Sequence, residues 1–164
     1  MTGFLRASKL IAMADGSGID VSVMTYNMHG MNQGRVLLTE ICAKGSVDVI
    51  LLQEHWLAAK ALQQFDAISD NYSHVAVSSM DSSLCNALLT GRPYGGLAIM
   101  YRKQLAKEVK IISTGERMIA VTIGTLLLIN VYFPNTSRTD YKDVCLDILS
   151  DIDSIISTCD AKSV

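Results

Sequence analysis

No stretch of this 164-residue chain stays apolar for the roughly 18 residues that a membrane-spanning helix needs. The longest run, Ile123 to Phe133, is interrupted by Gly124, Thr125 and Asn130. The first 13 residues hold two positive charges, Arg6 and Lys9, but no unbroken apolar core of the kind a secretory signal carries. No basic excess exists either: 14 Lys and Arg stand against 16 Asp and Glu, for a net charge of −2. That balance counts against tight non-specific binding of nucleic acid, but not against an enzyme that reaches phosphate through a metal. None of the four cysteines, Cys42, Cys85, Cys145 and Cys159, forms a Cys-x-x-Cys pair, and no histidine stands at zinc-finger spacing. They are read as reduced thiols, Cys42 and Cys145 as small core residues, with an intracellular site, cytoplasmic or nuclear, as the default. A Gly-x-Ser-x-Gly elbow is missing, which excludes that class of serine hydrolase, and a P-loop is missing too. There are no internal repeats or low-complexity tracts.

What is present is a well-patterned apolar sequence. Hydrophobic residues make up 49% and mean hydropathy is +0.28, which argues against disorder. The length suits one domain, able to bury roughly 70% of its unfolded surface. Residues 1–18, ending in Asp15-Gly16-Ser17-Gly18, are expected to be a flexible leader, 19–158 the domain and 159–164 a tail. Strands are expected at Ile19–Tyr26, Val47–Leu52, Ser73–Val77, Leu97–Tyr101, Val109–Ser113, Arg117–Ile123 and Thr125–Phe133. Val36, Leu37, Ile41 and Cys42 recur at helical spacing, after a glycine-bounded loop from Gly30 to Gly34. Leu57 to Phe65 reads as a short helix. Asp140 to Thr158 is the clearest helix, with Val144, Ile148, Ile152 and Ile155 on one face. Ser78 to Pro93 reads as a long surface loop. Strand, helix, strand, helix, a run of strands and a last helix make an α/β layered domain.

Two apolar runs end abruptly in polar groups: Val21 to Tyr26, followed by Asn27 and His29, and Val49 to Leu52, followed by Gln53, Glu54 and His55. Ligands of open α/β sheets bind outside the carboxyl ends of the strands, so these residues look like part of an active site. A carboxylate at the mouth of a buried strand must be solvated, paired or metal-bound. Glu54 therefore either holds a cation such as Mg²⁺, which keeps most of its waters, or caps the next helix or pairs with an arginine. Asn27 either orients that carboxylate or a phosphate, or ends its strand in an Asx-turn. His29 and His55 are each a ligand, a proton carrier or a plain loop histidine. Tyr132 and Asn135 either contact phosphate or form a packed Tyr beside a turn. Arg117 either pairs with phosphate or is a solvated charge.

Taken in order, five segments resemble the endonuclease/exonuclease/phosphatase superfamily: Met24-Thr25-Tyr26-Asn27-Met28-His29-Gly30, Val49 to Leu57, Gly95 to Tyr101, Glu116 to Val121, and Asn130-Val131-Tyr132-Phe133-Pro134-Asn135. The string Gln53-Glu54-His55-Trp56-Leu57 resembles most the endonuclease domain of non-LTR (LINE-type) retrotransposons. The resemblance implies a DNase I-like four-layer α/β sandwich, present here as its N-terminal half with an incomplete second sheet. It implies a Mg²⁺ or Mn²⁺ site with Glu54 as the metal carboxylate and Asn27 supporting the metal or contacting phosphate. Tyr132 and Asn135 would bind or polarise the scissile phosphate, with Arg117 and His29 on the substrate side.

The implied activity is metal-dependent phosphodiester cleavage that nicks DNA, with DNA as partner, no membrane, and a reverse transcriptase region of a parent polyprotein as a further neighbour. The superfamily's Gly-Asp-x-Asn and Ser-Asp-His motifs do not occur in these 164 residues. Weak or no activity of the chain alone is therefore expected, together with an apolar face of the first sheet left uncovered. Another phosphoester (a phosphoinositide, sphingomyelin or an RNA 3′ tail) and a non-catalytic binding fragment are the alternatives.

Overall fold

The computed structural model describes residues 5–14, 17–80 and 94–160. Eight strands and two α-helices are present among them: β1 (Leu5–Ala14), β2 (Ser17–Asn27), α1 (Met31–Lys44), β3 (Val49–Gln53), β4 (Tyr72–Val77), β5 (Leu97–Arg102), β6 (Val109–Gly115), β7 (Met118–Ile123), β8 (Leu126–Val131) and α2 (Tyr141–Asp160). A 3-10 helix, Ala59–Phe65, follows β3. The strands form a five-stranded sheet in the order β1-β2-β3-β5-β4 and a three-stranded sheet in the order β6-β7-β8. The α/β class is as the sequence reading expects. No helix among the described residues is long and apolar enough to cross a membrane.

β2, α1 and β3 make a βαβ unit, with β2 and β3 parallel and every other pairing antiparallel. Period-two alternation then sorts side chains between two cores. Met24, Tyr26, Ile50, Leu52, Ala98 and Met100 pack under α1 and the 3-10 helix. Val21, Val23, Val49, Leu97 and Ile99 instead meet Ile119, Val121, Ile123 and Leu128 of the second sheet. Because β3 is covered on both faces it reads as a continuous apolar run rather than an alternating one. α2 lies on the far side of the second sheet, where Val144 and the buried Ile148 share a cleft with Arg117 and Met118. The layers are helix, sheet, sheet, helix.

Four expectations need correction. Residues 5–14 are a strand, not a leader, with Leu5 to Ala14 pairing residue by residue against Tyr26 to Ser17. The overlooked signal was the Asp-Gly dipeptide, a strong hairpin mark between two segments that can pair. Helix α1 begins at Met31 rather than after Gly34, and it buries Met31, Gly34, Leu38, Ile41 and Cys42. Val36 and Leu37 are exposed. A glycine stands at position 34 of the helix because a Cβ there would lie 2.8 Å from the Cβ of Met28, so only hydrogen allows the helix to pack on the segment that follows β2. The surface loop expected from Ser78 begins with buried residues, Ser78 and Met80, and its remainder, 81–93 with Cys85, lies outside the described residues. Finally, among the described side chains the face of the first sheet that carries Val21, Val23, Val49, Leu97 and Ile99 is not bare: the second sheet covers it. The exposed large apolar side chains lie elsewhere, including Ile111 on β6 and Leu146, Leu149 and Ile156 on α2.

Candidate functional site

Parallel pairing of β2 and β3 sets Asn27 directly opposite Gln53, so both strands deliver their polar ends to one edge of the sheet. The two chains stay zipped beyond the strands. Met28 donates its N–H to the Gln53 carbonyl at 2.8 Å, Gly30 to Glu54 at 2.7 Å and Met31 to His55 at 2.9 Å. Trp56 in turn donates to Gly95 at 3.0 Å, tying in the residues that lead to β5. This zipper holds three non-glycine residues at positive φ: His29 (50°), Glu54 (57°) and Trp56 (58°). Left-handed backbone costs such residues on the order of 1–2 kcal/mol each. Strain of this kind collects where a side chain must be aimed rather than where packing is easiest.

Glu54 is what the turn aims. Asn27 donates Nδ2–H to Glu54 Oε1 at 2.9 Å, while Asn27 Oδ1 accepts the His29 N–H at 3.1 Å. The backbone donor at His29 fixes which end of the amide faces the carboxylate, since a flipped amide would set two donors against each other. Asn27 thus does two things at once: its amide N–H donates to the carboxylate, and its Oδ1 closes an Asx-turn onto His29. Its oxygen accepts that backbone N–H through one of its two lone pairs. His29 Nδ1 stands 3.6 Å from Glu54 Oε2, and the imidazole is about one-third exposed (36%) against 17% for Glu54. No Lys or Arg among the described residues forms an ion pair with Glu54.

β8 brings the third component. Tyr132 follows that strand, and its N–H donates to the Arg117 carbonyl at 3.0 Å. Burial pushes the Tyr132 phenol above its ordinary range, and a hydrogen bond to the Glu54 carboxylate and its charge push further, while Arg117 pulls the other way. Glu54, Tyr132 and Arg117, far apart in sequence, thus share one electrostatic environment. Asn135 takes the turn that is one of its two expected readings. It is exposed, and its Oδ1 accepts the Ser137 N–H at 3.0 Å in an Asx-turn.

His55, which the sequence offered as a possible ligand or proton carrier, is a core residue. It is fully buried, with Nε2 3.0 Å from the Val77 carbonyl and Nδ1 accepting the Leu57 N–H at 3.0 Å. Both ring nitrogens are occupied, the ring meets Phe65 edge-on, and burial holds its pKa below the usual histidine value. The sequence reading passed over Asn130 as well. This 1%-exposed residue of β8 donates to the Leu52 and Ala98 carbonyls at 2.9 and 3.0 Å and accepts from Gln53 Nε2 at 2.6 Å. It bolts the second sheet to the strand that carries Glu54. A single polar residue inside the apolar run of β8 was its only signal.

The family model for endonuclease/exonuclease/phosphatase proteins matches residues 24–153, spanning every element that builds this site. The chain belongs to the endonuclease/exonuclease/phosphatase family. Solved structures with a similar fold include a 3′ phosphatase from Neisseria bound to a product DNA hairpin (TM-score 0.52, 19% identity, 74% of this chain and 46% of that one). An AP endonuclease from Leishmania major is similar over 71% of this chain and 41% of its own (TM-score 0.52, 16% identity). An AP endonuclease from Archaeoglobus fulgidus is similar over 76% and 46% (TM-score 0.52, 16% identity). The chain therefore spans less than half the length of these family structures. No curated protein matches its sequence.

Proposed function

We propose that this family member carries the carboxylate and phosphate-contact side of a metal-dependent phosphodiesterase site acting on DNA, of the nicking type found in LINE-type elements. The observation that carries this reading is Glu54: a part-buried carboxylate on a strained turn, oriented by Asn27 and faced by Tyr132. The string Gln53 to Leu57 supports the LINE-type assignment.

The donor set suits one small, hard divalent cation. Among the described residues no group of three or more His, Cys, Asp and Glu side chains converges. A cation held through a single carboxylate keeps several waters and takes substrate phosphate oxygens, which is the habit of Mg²⁺ rather than of Zn²⁺ or Ca²⁺. Glu54 would hold it, and when bound it would neutralise charge on the phosphoryl oxygens. Asn27 keeps Glu54 in one rotamer. Tyr132, its phenol held protonated, would turn its O–H from Glu54 to a phosphate oxygen when substrate is bound, and Arg117 adds positive charge beside it. His29, part exposed, lies at the substrate side of the carboxylate.

A base that activates water and an imidazole that acts on the phosphate are not found at matching motifs in these 164 residues. The proposal accordingly includes weak or no nicking by this chain alone, and a non-catalytic binding role is the second reading. Relaxation of supercoiled plasmid with Mg²⁺, with EDTA and with Glu54→Ala is the test. Metal-dependent nicking lost in Glu54→Ala supports the first reading. Nicking that persists in Glu54→Ala overturns it, and DNA binding without nicking favours the second.

A further inference from the structure

Beside the carboxylate lies a cavity of about 280 Å³, between the start of α1 and the segment that runs into the 3-10 helix. His29, Asn32, Gln33, Trp56 and Gln64 are among its walls. Three features define its chemistry. It is adjacent to the reacting centre, because His29, 3.6 Å from Glu54, forms part of its wall and Trp56 is two residues further along the chain. It is neutral, because no Lys, Arg, Asp or Glu occurs among its lining residues. And it pairs an aromatic side chain with three exposed amides, Asn32, Gln33 and Gln64, which come from two different elements.

We propose that this cavity is a subsite for a nucleobase flanking the scissile phosphate, so that the substrate is a nucleic acid rather than a phosphoinositide or a phospholipid. This rests on the phosphodiesterase reading above. A second phosphate, as on an inositol ring, would be met by Lys or Arg in the cavity wall, and neither stands among its described lining residues. A base is planar, uncharged and edged with donors and acceptors that amide side chains match. The volume lies just under the roughly 300–1,000 Å³ of pockets for drug-sized ligands, which suits one small group. Trp56 is fixed for the purpose: its ring packs on Gly30, where a Cβ would lie 2.6 Å from Trp56 Cε3.

The test is fluorescence anisotropy with the 164-residue chain and two labelled single strands in Mg²⁺: dT15 and an abasic 15-mer of the same phosphate number. The expected result is about tenfold tighter binding of dT15, the scale of one stacked base. The Gln33→Ala/Gln64→Ala double variant should reduce that preference to about threefold, the part left by stacking on Trp56, and leave affinity for the abasic strand unchanged. Both amides are exposed, so folding should survive, and Gln64→Ala alone provides a milder second variant. Equal binding of the two strands by the native chain, or an undiminished preference in the double variant, overturns the subsite while leaving the nucleic-acid reading in place. Binding of neither strand overturns that reading and the subsite with it.

Discussion

Gln53 and Asn130 meet across the gap between the two sheets, Nε2 to Oδ1 at 2.6 Å, one residue before the carboxylate of Glu54. Gln53 also bonds Thr25 Oγ1 and the Leu51 carbonyl, so the contact belongs to a closed polar network inside an apolar interface. Such a network fixes register: hydrophobic packing alone lets two sheets slide, whereas buried amides tolerate one alignment only.

Replacing Asn130 by Leu should therefore destabilise the chain by about 2–3 kcal/mol, because it deprives Gln53 of one of its acceptors and two carbonyls of a donor. Urea denaturation followed by far-ultraviolet circular dichroism would measure it. A change below about 0.5 kcal/mol would show that water satisfies these groups and that the bolt is not structural.

Asn27→Ala is expected to keep the fold and loosen Glu54. Loss of a residue that orients a metal-binding carboxylate typically lowers metal affinity or activity by about 10- to 100-fold. Titration of Mg²⁺ by isothermal calorimetry, alongside a thermal melt, separates weakened metal binding from unfolding. Undiminished Mg²⁺ affinity would contradict the orienting role.

His55 should make the fold sensitive to acid. Its folded pKa lies below the ordinary value near 6.5, so the unfolded chain takes up a proton that the folded chain resists. Stability from this group is complete above about pH 6.5 and falls as the pH drops towards the folded pKa, at no more than about 1.4 kcal/mol per pH unit. Protonation also removes the lone pair that Nδ1 offers to the Leu57 N–H. Urea midpoints between pH 7.5 and 5.0 should decline in the native chain and decline less in His55→Gln.

Gly96→Ala should be among the most damaging small substitutions. Gly96 has φ +86°, and a Cβ there would stand 2.4 Å from His55 Cε1, with the ring wedged against Phe65. Backbone strain and overpacking together are expected to cost about 3 kcal/mol. A melting temperature within a degree or two of the native chain would show that the His55 ring can move.

Cys42 offers a probe of integrity. Burial raises its thiol to about 11, so it should react with a thiol reagent at pH 8 only when the core opens. Its labelling rate should rise across the urea transition. Rapid labelling of Cys42 in the native state would place α1 away from the sheet.

Strand and helix existence was legible along most of the chain because burial imposes its period on apolar residues. β3 reads as a central strand from its unbroken Val49 to Leu52, and α2 from the spacing of Val144, Ile148 and Ile152. β1 was legible only through the Asp-Gly hairpin mark that precedes Ser17, which the sequence carries between two segments able to pair. The start of α1 was hidden because glycine is a poor helix former and Gly34 is selected by the nearness of Met28, a contact with the segment that joins β2 to the helix.

At the site, the sequence alone determined the family-like order of motifs, the placement of Asn27 and Glu54 at strand ends and the residue types available for chemistry. Those follow from local pattern, which the chain carries whether folded or not. Only the tertiary structure decided which amide atom of Asn27 faces Glu54, that Tyr132 and Arg117 share its field, that Asn135 is spent on a turn, and that His55 is a core residue rather than a reactive one. The physical reason is that hydrogen-bond direction, burial and charge proximity are properties of pairs. Residues 27, 54 and 132 become neighbours only when two sheets close on each other.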